Sequence, residues 1–319
     1  MGANGAGKTN LLESLHVATQ GFSPRTRSDA QLVRFGEGAA AVGLELVRGG
    51  VTHRVRLRIV SGAAKTAELD GARLPSAEAL RRELPVLIFT PDRLAVVKVG
   101  PAARRAYFDR VLGRLQPSRA SLPQDYAAAL AQRNAALRRV QLGLSDRSAL
   151  APWTQRTAQL GAALTGARRA TLDLLAPGFA ARAAELDLPE ASLAYEGEPP
   201  SAEALESRLD QDVARGTTGL GPHLHDVRIA SGARELRSFG SQGEQRLALL
   251  ALILAEAELA PTQPLLLLDD VLSELDGNRR RVLAERVAGM EQTVVTATHR
   301  SALPLEPAQV VEVSPGQAV

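Results

Sequence analysis

The sequence predicts an α/β fold carrying a helical insertion, on three observations. A glycine-rich loop opens a helix at the start of the chain, strand and helix patterns alternate towards both ends, and the middle turns Ala/Leu/Arg-rich. Alternating strands and helices are the mark of α/β packing around a mostly parallel sheet. The expected division is one lobe from 1–92 and 207–319, with 93–206 inserted as an all-helical second lobe.

The first element is the most specific. Gly2-Ala3-Asn4-Gly5-Ala6-Gly7-Lys8-Thr9 satisfies G-x-x-x-x-G-K-[ST] without mismatch, the loop whose backbone N–H groups cradle phosphates. Lys8 is expected to reach the β/γ-phosphates and the Thr9 hydroxyl to hold Mg²⁺. From Asn10 onward, Leu11, Leu12, Leu15 and Ala18 recur at helical spacing, so a helix N-terminus faces the phosphates. Such a loop follows a buried strand; only Met1 precedes Gly2 here, so that strand is expected upstream of Met1.

Residues 41–48 and 51–60 alternate on either side of Gly49-Gly50, the pattern of a β-hairpin. Residues 65–69 and an Asp70-Gly71 turn suggest a third strand, and a helix at about 76–84 leads into a short buried strand at 85–89. In the middle, Pro117, Pro123, Pro152 and Pro177 are expected to cut the chain into helices of moderate length. No heptad seam survives them, which excludes a long coiled coil. The pairs Arg104-Arg105, Arg138-Arg139 and Arg168-Arg169 are expected mostly on solvated helix faces, with a share of them available to line a groove for phosphate backbone. Strand patterns return at 226–230, followed by an amphipathic helix at 241–259, an apolar run at 265–268, a helix at about 277–288, and strands at 292–297 and near 309–313.

The chemistry gathers in the last third. Leu265-Leu266-Leu267-Leu268-Asp269-Asp270 reads as a Walker B strand. Adjacent carboxylates repel unless a cation or a reacting water uses them; Asp269 is assigned to Mg²⁺ and Asp270 to polarising the attacking water. Two solvated acids at a surface strand end are the alternative, and the four leucines weigh against it. Ser241-Gln242-Gly243-Glu244 opens a helix with a hydroxyl and free N–H groups suited to a terminal phosphate; alone it is also an ordinary capping box. A second phosphate grip makes sense if it serves the nucleotide of a partner copy. His299, after Thr296-Ala297-Thr298, stands where an imidazole can reach a γ-phosphate. His223 and His225 are joined by no cysteine or further histidine into a metal site.

Together these motifs resemble the ATPase heads of the ABC/SMC group, and within it the RecF family. Carrying the resemblance are Gly2 to Glu13, Phe89-Thr90-Pro91-Asp92-Arg93-Leu94, Pro101 with Arg104-Arg105 and Phe108-Asp109, Gln132-Arg133-Asn134 with Leu137, and Gly221-Pro222-His223. Ser241-Gln242-Gly243-Glu244-Gln245-Arg246 and Asp269-Asp270-Val271 with Ser273-Glu274-Leu275-Asp276 complete it. The resemblance implies an ABC-type P-loop lobe with an antiparallel β meander, an inserted helical lobe, and ATP and Mg²⁺ as cofactors. It places Gly2, Ala3, Asn4, Gly5, Ala6, Gly7, Lys8, Thr9 and Asn10 on the nucleotide. Thr9 and Asp269 fall on the metal, and Asp270, Ser241, Gly243, His299 and Asp276 in the catalytic set. It further implies an ATP-dependent homodimer that clamps gapped or junction DNA and single strands, works with RecR and RecO to load RecA, and hydrolyses ATP slowly. Two departures stand out: the strands before the loop, and the lack of a glutamine at 89–93 to act as a Q-loop residue.

Composition sets the remaining bounds. The 319 residues include no cysteine, excluding disulfides and thiolate chemistry. With no long apolar run the chain reads as cytoplasmic, with no membrane partner. Net charge is +3, the lysines are only Lys8, Lys65 and Lys98, and a pI near 9.6 permits a polyanionic partner without demanding one. The rival readings are a P-loop phosphotransferase acting on a small acceptor, and the nucleotide-binding subunit of a membrane transporter. The long helical stretch between the loop and Ser241 argues against the transporter.

Overall fold

In the computed structural model, which describes residues 1–26, 28–48 and 50–319 without the side chains of Arg48, Glu78, Arg82, Glu83 and Glu274, the glycine-rich stretch is a loop that delivers helix α1 (Lys8–Gln20). The chain divides into two units: Met1–Leu94 with Glu185–Asp187 and Ala260–Val319, and Ala95–Ala184 with Leu188–Leu259. The boundary expected at 206/207 falls inside the second unit.

In the first unit, β1 (Ala39–Arg48), β2 (Val51–Val60), β3 (Thr66–Leu69) and β4 (Ala72–Arg73) form an antiparallel meander. The β1–β2 register runs from Ala39↔Val60 to Arg48↔Val51; Gly49 of the expected turn lies outside the described residues. Alternation along β2 sends Val55, Leu57 and Ile59 into a core with Val17 of α1, Ala67 and Leu80, where each fully buried aliphatic side chain contributes about 1.5–3 kcal/mol. The helix expected at 76–84 is a 3₁₀ turn, Ala77–Ala79, and one α-turn, Leu80–Glu83.

A second, parallel sheet holds β5 (Val86–Phe89) and β6 (Leu265–Leu268); after α2 (Gly277–Ala288) comes its third strand, β7 (Thr293–Val295), in the order β7-β6-β5. Leu266, Leu267 and Leu268 are fully buried, as strands covered on both faces are. The strand expected near 309–313 joins a ladder only at its end, where β8 (Val313–Ser314) pairs with β9 (Gln317–Ala318). Backbone partners explain this: Glu312 exchanges both hydrogen bonds with Val319, and the Val313 N–H donates to the Met1 carbonyl at 2.6 Å.

The second unit contains the helices Pro101–Leu115, Leu122–Gln141, Ala151–Glu185 and Gln242–Leu259. Pro123 and Pro152 lie in first turns, where a missing N–H costs nothing, but Pro177 sits inside the 35-residue helix Ala151–Glu185 without ending it. The flanking Leu175 and Phe179, both fully buried, hold the helix across the proline, and tertiary packing overrides the breaker. A strand, Ala191–Glu196, occupies the stretch expected to be all helical; it pairs antiparallel with Asp226–Ser231. The paired arginines also depart in part from expectation. Arg138 and Arg139 are exposed, but Arg104 and Arg168 are buried and ion-paired, Arg104 bidentate with Asp226 and Arg168 with Asp109. Among the described residues, no helix is long and apolar enough to cross a membrane.

Candidate nucleotide-binding site

Glycines make the loop possible. Gly7 precedes α1 at φ +104°, a left-handed conformation that a Cβ would strain. At Gly2 a Cβ would lie 2.2 Å from the Val313 carbonyl oxygen, so only glycine fits against that strand. The loop closes with Ala6 N–H donating to Ala3 O at 3.2 Å, and α1 begins with Leu11 N–H on Gly7 O at 3.0 Å. Lys8 Nζ folds back over the loop, donating to Gly2 O at 2.6 Å and Ala3 O at 2.9 Å. Asn10 Oδ1 accepts from Arg25 at 3.4 Å, and Arg25 also pairs with Glu13 at 3.1 Å.

The carboxylates sit where β6 ends. Asp269 is 3% exposed and is fixed on three sides: its N–H donates to Phe89 O of β5, and Oδ1 accepts from Thr9 Oγ1 at 3.2 Å and from Thr296 Oγ1 at 2.8 Å. The Thr296 hydroxyl in turn accepts the Asp270 N–H at 2.9 Å. Asp270 is exposed and has φ +49°, a left-handed conformation that aspartate tolerates better than most residues. His299 is exposed and lines, with Met1, Gly2 and Arg300, a cleft of about 520 Å³ beside the loop. Lys8, Thr9, Asp269, Asp270 and His299 therefore gather in one unit, as the sequence suggested. Thr296 was legible only as a hydroxyl between the strand and His299; its hold on both acids is a feature of the fold.

The remaining residues lie elsewhere or do something additional. Asp276 caps α2, its carboxylate accepting from Arg279 N–H at 2.9 Å. Ser241 and Gly243 belong to the second unit, both exposed. There Glu244 Oε2 accepts the Ser241 N–H at 2.7 Å, and Ser241 Oγ accepts the Glu244 N–H at 3.2 Å. This is a closed capping box, and the Ser241 N–H holds the Glu244 carboxyl below its usual range. His223 and His225 are satisfied internally. Tyr126 donates to His223 Nδ1 at 2.7 Å while Nε2 bonds Thr218 O, and Tyr195 bonds His225 Nδ1 at 2.9 Å. Burial lowers the pKa of both rings, and with Arg168 nearby that of His225 falls to about 4.

The donor set at Thr9 and Asp269 fits Mg²⁺. A hydroxyl and one buried carboxylate are hard oxygen ligands, and Mg²⁺ takes one or two protein ligands and fills its shell with phosphate and water. Among the described residues no group of three or more acidic, histidine or cysteine side chains could hold a metal ion.

A phosphate loop, a Walker B strand ending in two acids and a helical insertion define a P-loop ATPase head of the SMC class. The family model for the RecF/RecN/SMC N terminal domain matches residues 1–317. The chain belongs to this family, and within it to RecF. It is 38% identical to the DNA replication and repair protein RecF of Anaeromyxobacter dehalogenans strain 2CP-C, over 94% of this chain and 86% of that protein. To RecF of Frankia alni it is 36% identical, over 96% and 88%. A solved structure of the recombination mediator protein RecF-ATP in the RecFOR pathway shares the fold with a TM-score of 0.88 at 24% identity, covering 100% of this chain and 89% of that one. An Smc head domain from Pyrococcus furiosus matches at 0.58 and 17%, over 100% and 88%.

Proposed function

We propose that the chain is an ATP-dependent DNA-binding head that acts in pairs during DNA replication and recombinational repair. One arrangement supports this above all: the buried Asp269 carboxylate held between Thr9 of the phosphate loop and Thr296 of the neighbouring strand. On this reading ATP lies along Gly2 to Asn10, and Lys8 exchanges the carbonyls of Gly2 and Ala3 for β/γ-phosphate oxygens. Thr9 and Asp269 would hold Mg²⁺, which would offset the phosphate charge. Asp270, exposed at the strand end, orients and polarises the attacking water, and His299 reaches the γ-phosphate from the cleft beside Gly2. Asp276 is a positioning residue that caps α2 just after the two acids in the chain.

Ser241 and Gly243 of one protomer cover the Lys8 site of the other. ATP then favours the closed pair, because only that state lets the second protomer touch the γ-phosphate. Slow hydrolysis removes the contact and releases the pair. The closed pair clamps DNA at gaps and single-strand/double-strand junctions through phosphate contacts and, with RecR and RecO, promotes loading of RecA. The RecF names of the relatives support the replication and repair setting, and the RecFOR pathway of the structural neighbours supports the partners.

The test is a titration with a fluorescent ATP analogue, with and without Mg²⁺, followed by binding of gapped duplex with and without ATP. Mg²⁺-dependent nucleotide binding and ATP-dependent DNA affinity are expected. DNA affinity that ignores ATP would reject the clamp.

A further inference from the structure

The β1–β4 meander carries arginines that the nucleotide site does not use. With Val55, Leu57 and Ile59 buried, Arg54, Arg56 and Arg58 of β2 all face solvent. Register places Arg58 between Ala41 of β1 and Thr66 of β3, and Arg56 between Gly43 and Glu68; Arg73 of β4 lies opposite Glu68 on its other side. Arg54 is matched by Glu45 at 2.8 Å. With Glu45 taken by Arg54, the ladder sets Glu68 alone among the described carboxylates directly opposite Arg56 and Arg73, and none opposite Arg58. Beyond the ladder, neither the Arg56 nor the Arg58 guanidinium makes a hydrogen bond or ion pair with a described residue, unlike Arg104, Arg133 and Arg168, each buried against an acid. The small Ala41 and Gly43 leave the face open.

We propose that this sheet face, through Arg56 and Arg58 with Arg73, is a contact for the phosphate backbone of duplex DNA; the proposal rests on the DNA-binding reading above. Same-face residues of a strand stand about 6.8 Å apart, twice the roughly 3.4 Å axial spacing of charges along one strand of a duplex. Guanidinium groups match phosphate with a planar fork of donors and stay charged at any physiological pH. No Phe, Tyr or Trp lies between residues 39 and 73, so the face offers no platform for unpaired bases. Charge and shape point to duplex, read without sequence preference.

The test uses the full chain carrying Arg56→Ala and Arg58→Ala, titrated with mixed-sequence duplex in ATP–Mg²⁺ between about 50 and 200 mM salt. Nucleotide binding is checked in parallel. The control, Arg139→Ala with Arg156→Ala, removes the same charge from exposed helix positions of the second unit. The expected result is weaker duplex binding and a slope of log K against log salt smaller by about 1.8, two phosphates' worth, with nucleotide affinity kept. Parental affinity and slope in the Arg56/Arg58 variant, or an equal loss in the control, would overturn the proposal while leaving the DNA reading intact. A parent that binds no duplex at the lowest salt removes that reading, and the proposal with it.

Discussion

Thr296 Oγ1 donates to Asp269 Oδ1 at 2.8 Å while accepting the Asp270 N–H at 2.9 Å, so one hydroxyl sets both acids. Replacing it by an isosteric apolar group leaves a buried carboxylate short of a donor. Thr296→Val is expected to cost about 1–3 kcal/mol of stability and to weaken ATP–Mg²⁺ binding about tenfold or more, some 1.4 kcal/mol. Thr296→Ser should retain most of both. Urea unfolding and nucleotide titration measure the two effects; a Val variant with parental values would remove Thr296 from the account.

Lys8 and Asp270 should separate binding from turnover. Lys8→Ala is expected to abolish nucleotide binding, since its ammonium already spans the loop carbonyls. Asp270→Asn keeps the left-handed backbone that asparagine also accepts, so it should bind ATP normally and fail to hydrolyse it. Single-turnover hydrolysis with a parallel binding isotherm checks both, and normal turnover in Asp270→Asn contradicts the assignment.

Much of this site was legible in the sequence because it is local. The phosphate loop, the four leucines before Asp269 and the alternation of β2 each follow from residues within a few positions of one another. What escaped notice depends on distant partners. Arg104 and Arg168 read as surface charges because nothing nearby in sequence announces Asp226 or Asp109. Pro177 read as a helix end because its buried neighbours are visible only in the fold. The Thr296 clasp needs the parallel register of β7 beside β6, Val295↔Leu268, which no short-range pattern encodes.

Arg133 offers a test of the second unit. It is fully buried, donating to Asp212 at 2.8 Å and Thr218 Oγ1 at 2.7 Å. Arg133→Leu strands the buried Asp212 and should cost about 3–5 kcal/mol in denaturant unfolding. A loss below 1 kcal/mol would mean the pair is solvated in solution.

Acid should act through His225. Its folded pKa, about 4, lies below the ordinary 6.5 because of burial and the Arg168 charge. The unfolded chain therefore binds the proton first. The contribution is whole above pH 6.5, declines as pH falls from 6.5, and is lost below about 4. His223, also lowered by burial, adds in the same direction. Thermal melts from pH 7.5 to 4 should show a falling Tm, with a shallower fall in His225→Gln; identical slopes would exclude the ring as the source.

ATP at the Gly2–Thr9 loop is expected to draw two copies together. Sedimentation velocity of the Asp270→Asn chain, with and without ATP–Mg²⁺, tests it directly. The expected result is a monomer that becomes a dimer only with nucleotide, and a Ser241→Arg variant that binds ATP yet stays monomeric. A chain that binds ATP–Mg²⁺ tightly and remains a monomer at every protein concentration would contradict it.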